Sequence, residues 1–477
     1  MADHQAQSAA RSDPPPAPRR RWVDRLLFAG FIAGGITLIF AAGMSVSFYR
    51  LPPHGLLRDA DRAGQSLLRW IDLRAQGYPE PLWHEDRGQG RGLIRHKPGQ
   101  AFEGYTLYTA AHPQAVVLTN MAGETVHRWE IPFNKIWPDP SHIALPADDH
   151  QIYIRRAHVY PDGDLLAGYV SPTDTPYGYG LVRFDRAGRV QWRFAGHFHH
   201  DFAVAKDKTI YALTQQRRDG PPERLNNLHP HVLEDFIVAL TPDGAVKSRV
   251  SVLQAMLNSP YSPMLKRVLS QNEDRWDLLH TNTISLIGAE YASHYDAIEP
   301  GNVMVLARNL NLVMVIDLNE RAVVWGMTGP WHRPHDPEPL PNGHIMLFDN
   351  QRLHGKMAGS RVIELDPASS EIVWSFAGTD ASDFFSSHSS RQQVLPNGNV
   401  LIAEAEGGRI MEVTRGGDRV WSFVTPVRRG ETPQRLPIMA DAVRYPPHAL
   451  PFVAEANRAD GAAPAATQPT QPTTHEP

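Results

Sequence analysis

Histidine keeps returning a few residues ahead of a short β-like run. His158 precedes YPDGDLL, His200 precedes DFAVAKDKTIYAL, His280 opens HTNTISLI, His335 precedes DPEPLPNGHIMLFDN and His388 precedes SSRQQVLPNGNVLIA. His200-Asp201 and His335-Asp336 stand in one register: eight residues after each His comes the turn residue, Lys208 or Gly343, and two further on Ile210 or Ile345. That equivalence predicts that both imidazoles point at the same axial space. A neutral imidazole is a nucleophile and a proton shuttle near neutral pH. Arg308 is the only charge in the apolar run NVMVLARNLNLVMVI before Asp317, where a charge needs a partner or an anionic ligand. Some assignments stay open: His332 competes with His335, and His199 and His197 compete with His200. The string His197-Phe198-His199-His200-Asp201 has the composition of a metal site, but a strand sends adjacent side chains to opposite faces. No metal and no cofactor is expected, and His158 and His388 read as structural.

Composition narrows the chemistry further. The 477 residues contain no cysteine and 23 His. Disulfides, thiolate metal sites, iron–sulfur clusters and cysteine nucleophiles are therefore excluded. The formal net charge is −4 from 47 basic and 51 acidic residues, which argues against a nucleic-acid partner. Hydrophobic residues at 42% supply material for a large core, and 36 Gly with 41 Pro suit a fold of many turns.

The elements that must position these residues are short hairpins. TNMAGETVHRW (119–129), FDRAGRVQWRF (184–194), LTPDGAVKSRV (240–250), IDLNERAVVWGM (316–327), ELDPASSEIVWSF (364–376) and EVTRGGDRVWSF (412–423) are copies of one unit. The third and fourth are the weakest. In the clearest copies a Gly-containing turn joins two strands. A second piece recurs as YPDGDLL, LPNGHIMLF and LPNGNVLIA, in which Pro pre-sets the turn. Six copies at roughly 55 residues each predict an all-β, six-bladed β-propeller with four-stranded blades around a channel. Trp129, Trp192, Trp325, Trp374 and Trp421 should then pack between blades. Residues 251–276 read as a helical or irregular insertion.

The flanks differ. Residues 1–25 read as a polar cytoplasmic tail, and 26–48 as an uncharged apolar run long enough to cross a bilayer. Arg11, Arg19, Arg20, Arg21 and Arg25 precede it, so the positive-inside rule predicts a cytoplasmic N-terminus and an extracytoplasmic main domain. A long cleaved signal peptide is the competing reading. Residues 50–100 read as a helical and linker segment, 101–426 as the propeller, 427–456 as closure or irregular chain, and 457–477 as a disordered tail.

HHDFAVAKDKTIYAL, LLHTNTISL, the Arg of VLARN, HDPEPLPNGHIMLFDN and above all LPNGNVLIAEAEGGRIMEVTRGGDRVWSF resemble the bacterial, nucleotide-independent aryl-sulfate sulfotransferase family. The resemblance covers about residues 100–426 and implies a propeller with its active site in the channel. It further implies sulfuryl transfer from an aryl sulfate to a phenol through a covalent sulfohistidine. On it His335 matches the nucleophile, Arg308 the sulfate-binding Arg, and His280 and His200 two sulfate-binding His. The chain departs from the best-known members in having no Cys, an anchor instead of an N-terminal β-rich domain, and a compressed Arg308-to-His335 spacing. These departures bear on substrate range and oligomeric state. The alternative is a non-catalytic propeller serving as an envelope binding module, which would need none of these His and Arg residues.

Overall fold

The computed structural model describes residues 20–49, 52, 82–143, 146–172, 178–220, 231–265, 277–350, 359–379 and 383–455. The chain divides into two units, Met1–Gly77 and Tyr78–Pro477. The amphipathic stretch expected after Arg50 and the polar tails lie outside the described residues, except for the few residues that join the first helix. In the first unit a helix runs Arg20–Phe48. Its 25-residue span Trp22–Val46 contains a stretch of mean hydropathy 2.1, which makes it a candidate membrane span or signal sequence.

The second unit is a six-bladed β-propeller. Five blades follow the chain in order, each running antiparallel from an inner to an outer strand, beginning at Tyr153, Phe198, Thr281, His335 and Arg391. Blade 1 is composite. Tyr105–Ala110, Ala115–Thr119 and Thr125–Glu130 form its outer three strands, and Met439–Tyr445 returns from the far end of the chain as the inner one. Within the stretch read as linker, Gly92–His96 adds a fifth, outermost strand to blade 6, and Trp83–Glu85 pairs with Arg435–Pro437. The insertion carries a short helix, Val252–Leu257, capped by the Ser251 hydroxyl accepting from the Gln254 N–H.

Each sheet is buried on both faces, which explains why its central strands read as unbroken apolar runs. Side chains still alternate. Val303, Val305 and Ala307 pack toward blade 3, whereas Met304 and Leu306 pack toward Ile345, Leu347 and Ile363 of blade 5. Six apolar clusters result, one at each blade-to-blade contact. Burying one such Val or Leu contributes about 1.5–3 kcal/mol.

The repeated Trp explains how neighbouring blades are held in register. The indole N–H of Trp192 donates to Pro242 O at 3.0 Å, that of Trp374 to Arg415 O at 2.9 Å, and that of Trp421 to Met121 O at 2.9 Å. In all three cases the acceptor is in the outer turn of the next blade. Blade 1 does the same with a different residue: His127 Nε2 bonds Arg186 O at 3.0 Å while Trp129 packs beside it. Trp325 packs against Tyr295. Gly123, Gly188, Gly244 and Gly417 take positive φ in the outer turns, and Arg321 and Ser370 take it where blades 4 and 5 lack Gly.

Candidate functional site

The inner strands place side chains in two stacked rings. Val159, Val204, Pro339 and Val394 end the inner strands of blades 2, 3, 5 and 6, and Leu286 holds the same pairing position in blade 4. Counting four residues back gives Arg155, His200, Asn282, His335 and Ser390, with Ala440 as the contribution of blade 1. All six line one cavity of about 250 Å³ that includes space continuous with solvent. The next residue in each blade forms a second ring: Arg156, Asp201, Thr283, Asp336, Arg391 and Asp441.

Locally, the inner strands are built to aim these residues. Register breaks fall between Ile154 and Arg156, Phe198 and Phe202, Thr281 and Ile284, His335 and Glu338, and Met439 and Asp441. His200, His280, Asp336, Ser389 and Ser390 have φ of 61°, 50°, 54°, 59° and 77°. Non-Gly residues in this region cost of order 1–3 kcal/mol each, and bulges re-aim side chains beside sites.

The second ring is an ionic floor. Arg156 bridges Asp441 at 2.7 Å and Asp201 at 3.0 Å. Arg391 reaches Asp336 at 2.9 Å, Asp201 at 3.1 Å and Asp441 at 3.4 Å. The same carboxylates stitch blade 1 to 2, 3 to 4 and 5 to 6 by accepting the N–H of Ala157, Ile284 and Gln392. Three carboxylates thus face two guanidiniums. The first ring carries Arg155 and no carboxylate, while Asp336 and Arg391 of the second ring also line the cavity.

His335 is buried, and its tautomer is set by its neighbours. Asn350 Nδ2 donates to Ser386 O at 2.7 Å and to Ser389 O at 3.3 Å, which turns Asn350 Oδ1 toward His335 Nδ1 at 2.7 Å. His335 therefore carries its proton on Nδ1. Its Nε2 lone pair accepts the Ser389 N–H at 3.2 Å, and the residue lines the cavity. Burial holds the imidazole well below its ordinary pKa, and the charges of Arg308 and Arg155 push it further down.

His200 is likewise held well below the ordinary value by burial, then by His280 and His199. Its Nδ1 lies 2.7 Å from His199 Nδ1, and His199 Nε2 lies 3.5 Å from Asp235. Burial raises the Asp235 carboxyl and lowers His199. His280 stands two residues ahead of the first ring. Its ring centroid is 4.8 Å from that of His200, and its Nδ1 bonds Asp277 at 2.5 Å. Burial pushes Asp277 up to about 6 against the opposing pull of Arg308.

Arg308 starts a one-turn 3₁₀ segment immediately after the strand Val303–Ala307, not inside the strand. Its guanidinium bonds Asn309 Oδ1 at 3.2 Å, and its charge acts on Asp277, His200 and His335. Of the four expected residues His335 and His200 line the cavity, whereas His280 and Arg308 do not: His280 packs on His200, and Arg308 acts on both His through its charge. Of the open alternatives, His332 and His199, like His280 and Arg308, are not among the cavity's lining, His199 lying directly behind His200, and His197 Nδ1 bonds Gly178 O at 3.1 Å. His158 packs against Tyr160 with its pKa lowered to about 4, chiefly by burial, and His388 pairs with Glu406 at 3.1 Å.

Sequence reasoning missed Arg155, Asn282 and Asn350. Arg155 is buried, donates to Ser389 Oγ at 3.0 Å, and adds a second cation beside His335 and His200. The signal for it was present: the eight-residue count that links His335 to Gly343 links Arg155 to Gly163 and Ser390 to Gly398.

Residues 157–425 match the family model described as Arylsulfotransferase (ASST). No curated protein matches the chain. Among solved structures, a protein of unknown function from Bacteroides caccae is 13% identical, covering 72% of this chain and 98% of its own, with a TM-score of 0.46. A catalytically inactive virginiamycin B lyase from Staphylococcus aureus, with quinupristin, is 11% identical over 63% of this chain and 87% of its own, TM-score 0.35. BamB from Moraxella catarrhalis is 10% identical over 75% and 93%, TM-score 0.32.

Proposed function

Because this chain belongs to the arylsulfotransferase family, we propose that it moves a sulfuryl group from an aryl sulfate to a phenolic acceptor through His335. The observation that carries this reading is a tautomer-fixed imidazole, kept neutral by burial and by the charges of Arg308 and Arg155, in the lining of the channel cavity. In the first half-reaction the Nε2 lone pair leaves the Ser389 N–H and forms an N–S bond as the S–O bond to the aryl oxygen breaks. Arg308 and Arg155 stabilise the charge that spreads over the equatorial oxygens, as in phosphoryl transfer. The departing phenolate takes a proton. In the second half-reaction the acceptor phenol gives up its proton, attacks sulfur, and the N–S electron pair returns to Nε2. Splitting the transfer in this way gives ping-pong kinetics.

A neutral His200 is a poor acid alone, and the chain beneath it supplies the remedy. His200 Nε2–H passes to the phenolate while His200 Nδ1 takes the proton of His199 Nδ1, and His199 Nε2 takes one from Asp235. Each imidazole stays neutral, and the relay requires Asp235 to enter it protonated, the form that burial favours. The second half-reaction runs the relay backwards.

Incubating the protein with an aryl sulfate and no acceptor should add a sulfuryl mass to one peptide containing His335, in a digest kept neutral or alkaline. His335→Asn should abolish both adduct and turnover. Wild-type protein that gives neither adduct nor transfer with any aryl sulfate would overturn the reading in favour of a binding module. We place the catalytic unit outside the cytoplasm, tethered to the inner membrane by the Arg20–Phe48 helix, because the Arg cluster precedes the apolar run. A reporter fused at the C-terminus should work only if it is a periplasmic type, and activity from a cytoplasmic type would refute this.

A further inference from the structure

We propose that a zinc-class divalent cation binds between His84, His388 and Glu406, none of which lines the cavity of the sulfuryl site. The three side chains come from separate segments: the strand Trp83–Glu85, the loop before Arg391, and the turn after Val400–Glu404. Each offers one ligand atom, and these atoms all lie within 4.8 Å of one another.

The carboxylate presents one oxygen to each imidazole, at separations near those of ligands sharing an ion. Bonds of about 2.0–2.1 Å at the tetrahedral angle put neighbouring ligand atoms about 3.3 Å apart. His388 Nδ1 lies 3.1 Å from Glu406 Oε1, and His84 Nδ1 lies 3.7 Å from Glu406 Oε2. The imidazole centroids are 6.0 Å apart at 47°, so the rings are tilted rather than stacked. Two nitrogens and one carboxylate select zinc-class metals over Ca²⁺ or Mg²⁺, which prefer all-oxygen shells.

The carboxylate is also held in place from behind. Ser387 donates both its N–H, at 2.7 Å, and its hydroxyl, at 2.5 Å, to Glu406 Oε1. Supporting bonds of this kind orient a ligand and keep it in one rotamer. The Glu406 side chain is 8% exposed, whereas those of His84 and His388 are 24% and 33% exposed, so an ion has a route in and a fourth position for water. The loop that carries His388 also supplies the Ser389 N–H to His335. A bound ion would brace that loop against the Trp83–Glu85 strand.

The test uses the full chain in detergent, tag removed and stripped with chelator, and its readouts do not depend on sulfuryl transfer. Equilibrium dialysis against Zn²⁺ with elemental analysis should give one tightly held ion per chain. His388→Asn and Glu406→Gln should each weaken it by at least about tenfold. His344→Asn, which breaks the ordinary His344–Glu364 pair at 2.8 Å, should bind as wild type does. Because a variant could lose metal by unfolding, Co²⁺ is added to wild type as well, where visible bands of tetrahedral or five-coordinate intensity are expected. No stoichiometric Zn²⁺ at micromolar free ion, equal binding by folded His388→Asn, or only weak octahedral Co²⁺ bands would each overturn the proposal.

Discussion

Replacing Arg155 with Gln is the sharpest probe of the cationic cavity. The guanidinium is buried, donates to Ser389 Oγ at 3.0 Å, and lowers the pKa of both His335 and His200. Gln keeps a donor for Ser389 and removes the charge. Among the described residues no carboxylate pairs with Arg155, so its loss orphans none and the fold should survive. Two effects follow, with separable signatures. Loss of one preorganised donor to the transferring group should lower plateau kcat by about 10²–10³-fold, or about 2.7–4 kcal/mol of transition-state stabilisation. Separately, a cation near His335 disfavours its protonated form, so removing the cation raises the pKa. The acid limb of kcat/KM must then move to higher pH, because less of the nucleophile is neutral at a given acidity. A chromogenic nitrophenyl sulfate with a phenol acceptor, followed across the acid range, reads both. Plateau rates within threefold of wild type with an unmoved acid limb would refute the assignment of Arg155 to the site.

Asp235→Asn should break the proton relay while keeping an oxygen for the Thr281 N–H. Turnover should fall steeply for donors with high-pKa phenols and little for nitrophenyl donors, so an unchanged dependence on leaving-group pKa counts against the relay. Arg391→Met leaves Asp201, Asp336 and Asp441 facing Arg156 alone, and breaking a buried network of this kind costs about 3–5 kcal/mol. A denaturant melt showing less than 1 kcal/mol lost would show that the floor is not needed for stability. Trp421→Phe removes one N–H from Met121 O and should cost about 1–3 kcal/mol in the same assay without changing kcat.

Much of this was legible in the chain. Outer-turn glycines and hairpin Trp residues carry local constraints, positive φ and a neighbour's carbonyl, so they recur visibly and give the blade count. The shared register of His200 and His335 is real for the same reason, since both are measured from a turn that fixes the strand behind it. Arg155 and Ser390 obey the same count but went unread because only His was counted. His280 fell two residues from the ring because residues 287–302 replace the tight turn of blade 4, which removes the reference point. Asn350 and Asp235 act through contacts with residues far away in sequence, which periodicity does not encode. Asp441 is harder still. Its strand has no hairpin turn joining it to its partner, and only closure of the circle shows which blade it completes.

That closure has a consequence for how the molecule is made. The inner strand of blade 1 is the last strand to be synthesised, and its Arg444 bonds Thr106 across 338 residues of sequence. A growing chain must keep the edge of Tyr105–Ala110 unpaired until five further blades exist, at the mercy of any other strand that offers itself. Asp441 arrives with the same strand, so Arg156 and Arg391 meet their shared carboxylate only when synthesis is nearly done. A prematurely terminated product would expose a sticky edge and lack a floor for its anion site. Completeness of the polypeptide is therefore a condition for chemistry, and quality-control proteases have an open strand edge by which to recognise the unfinished form.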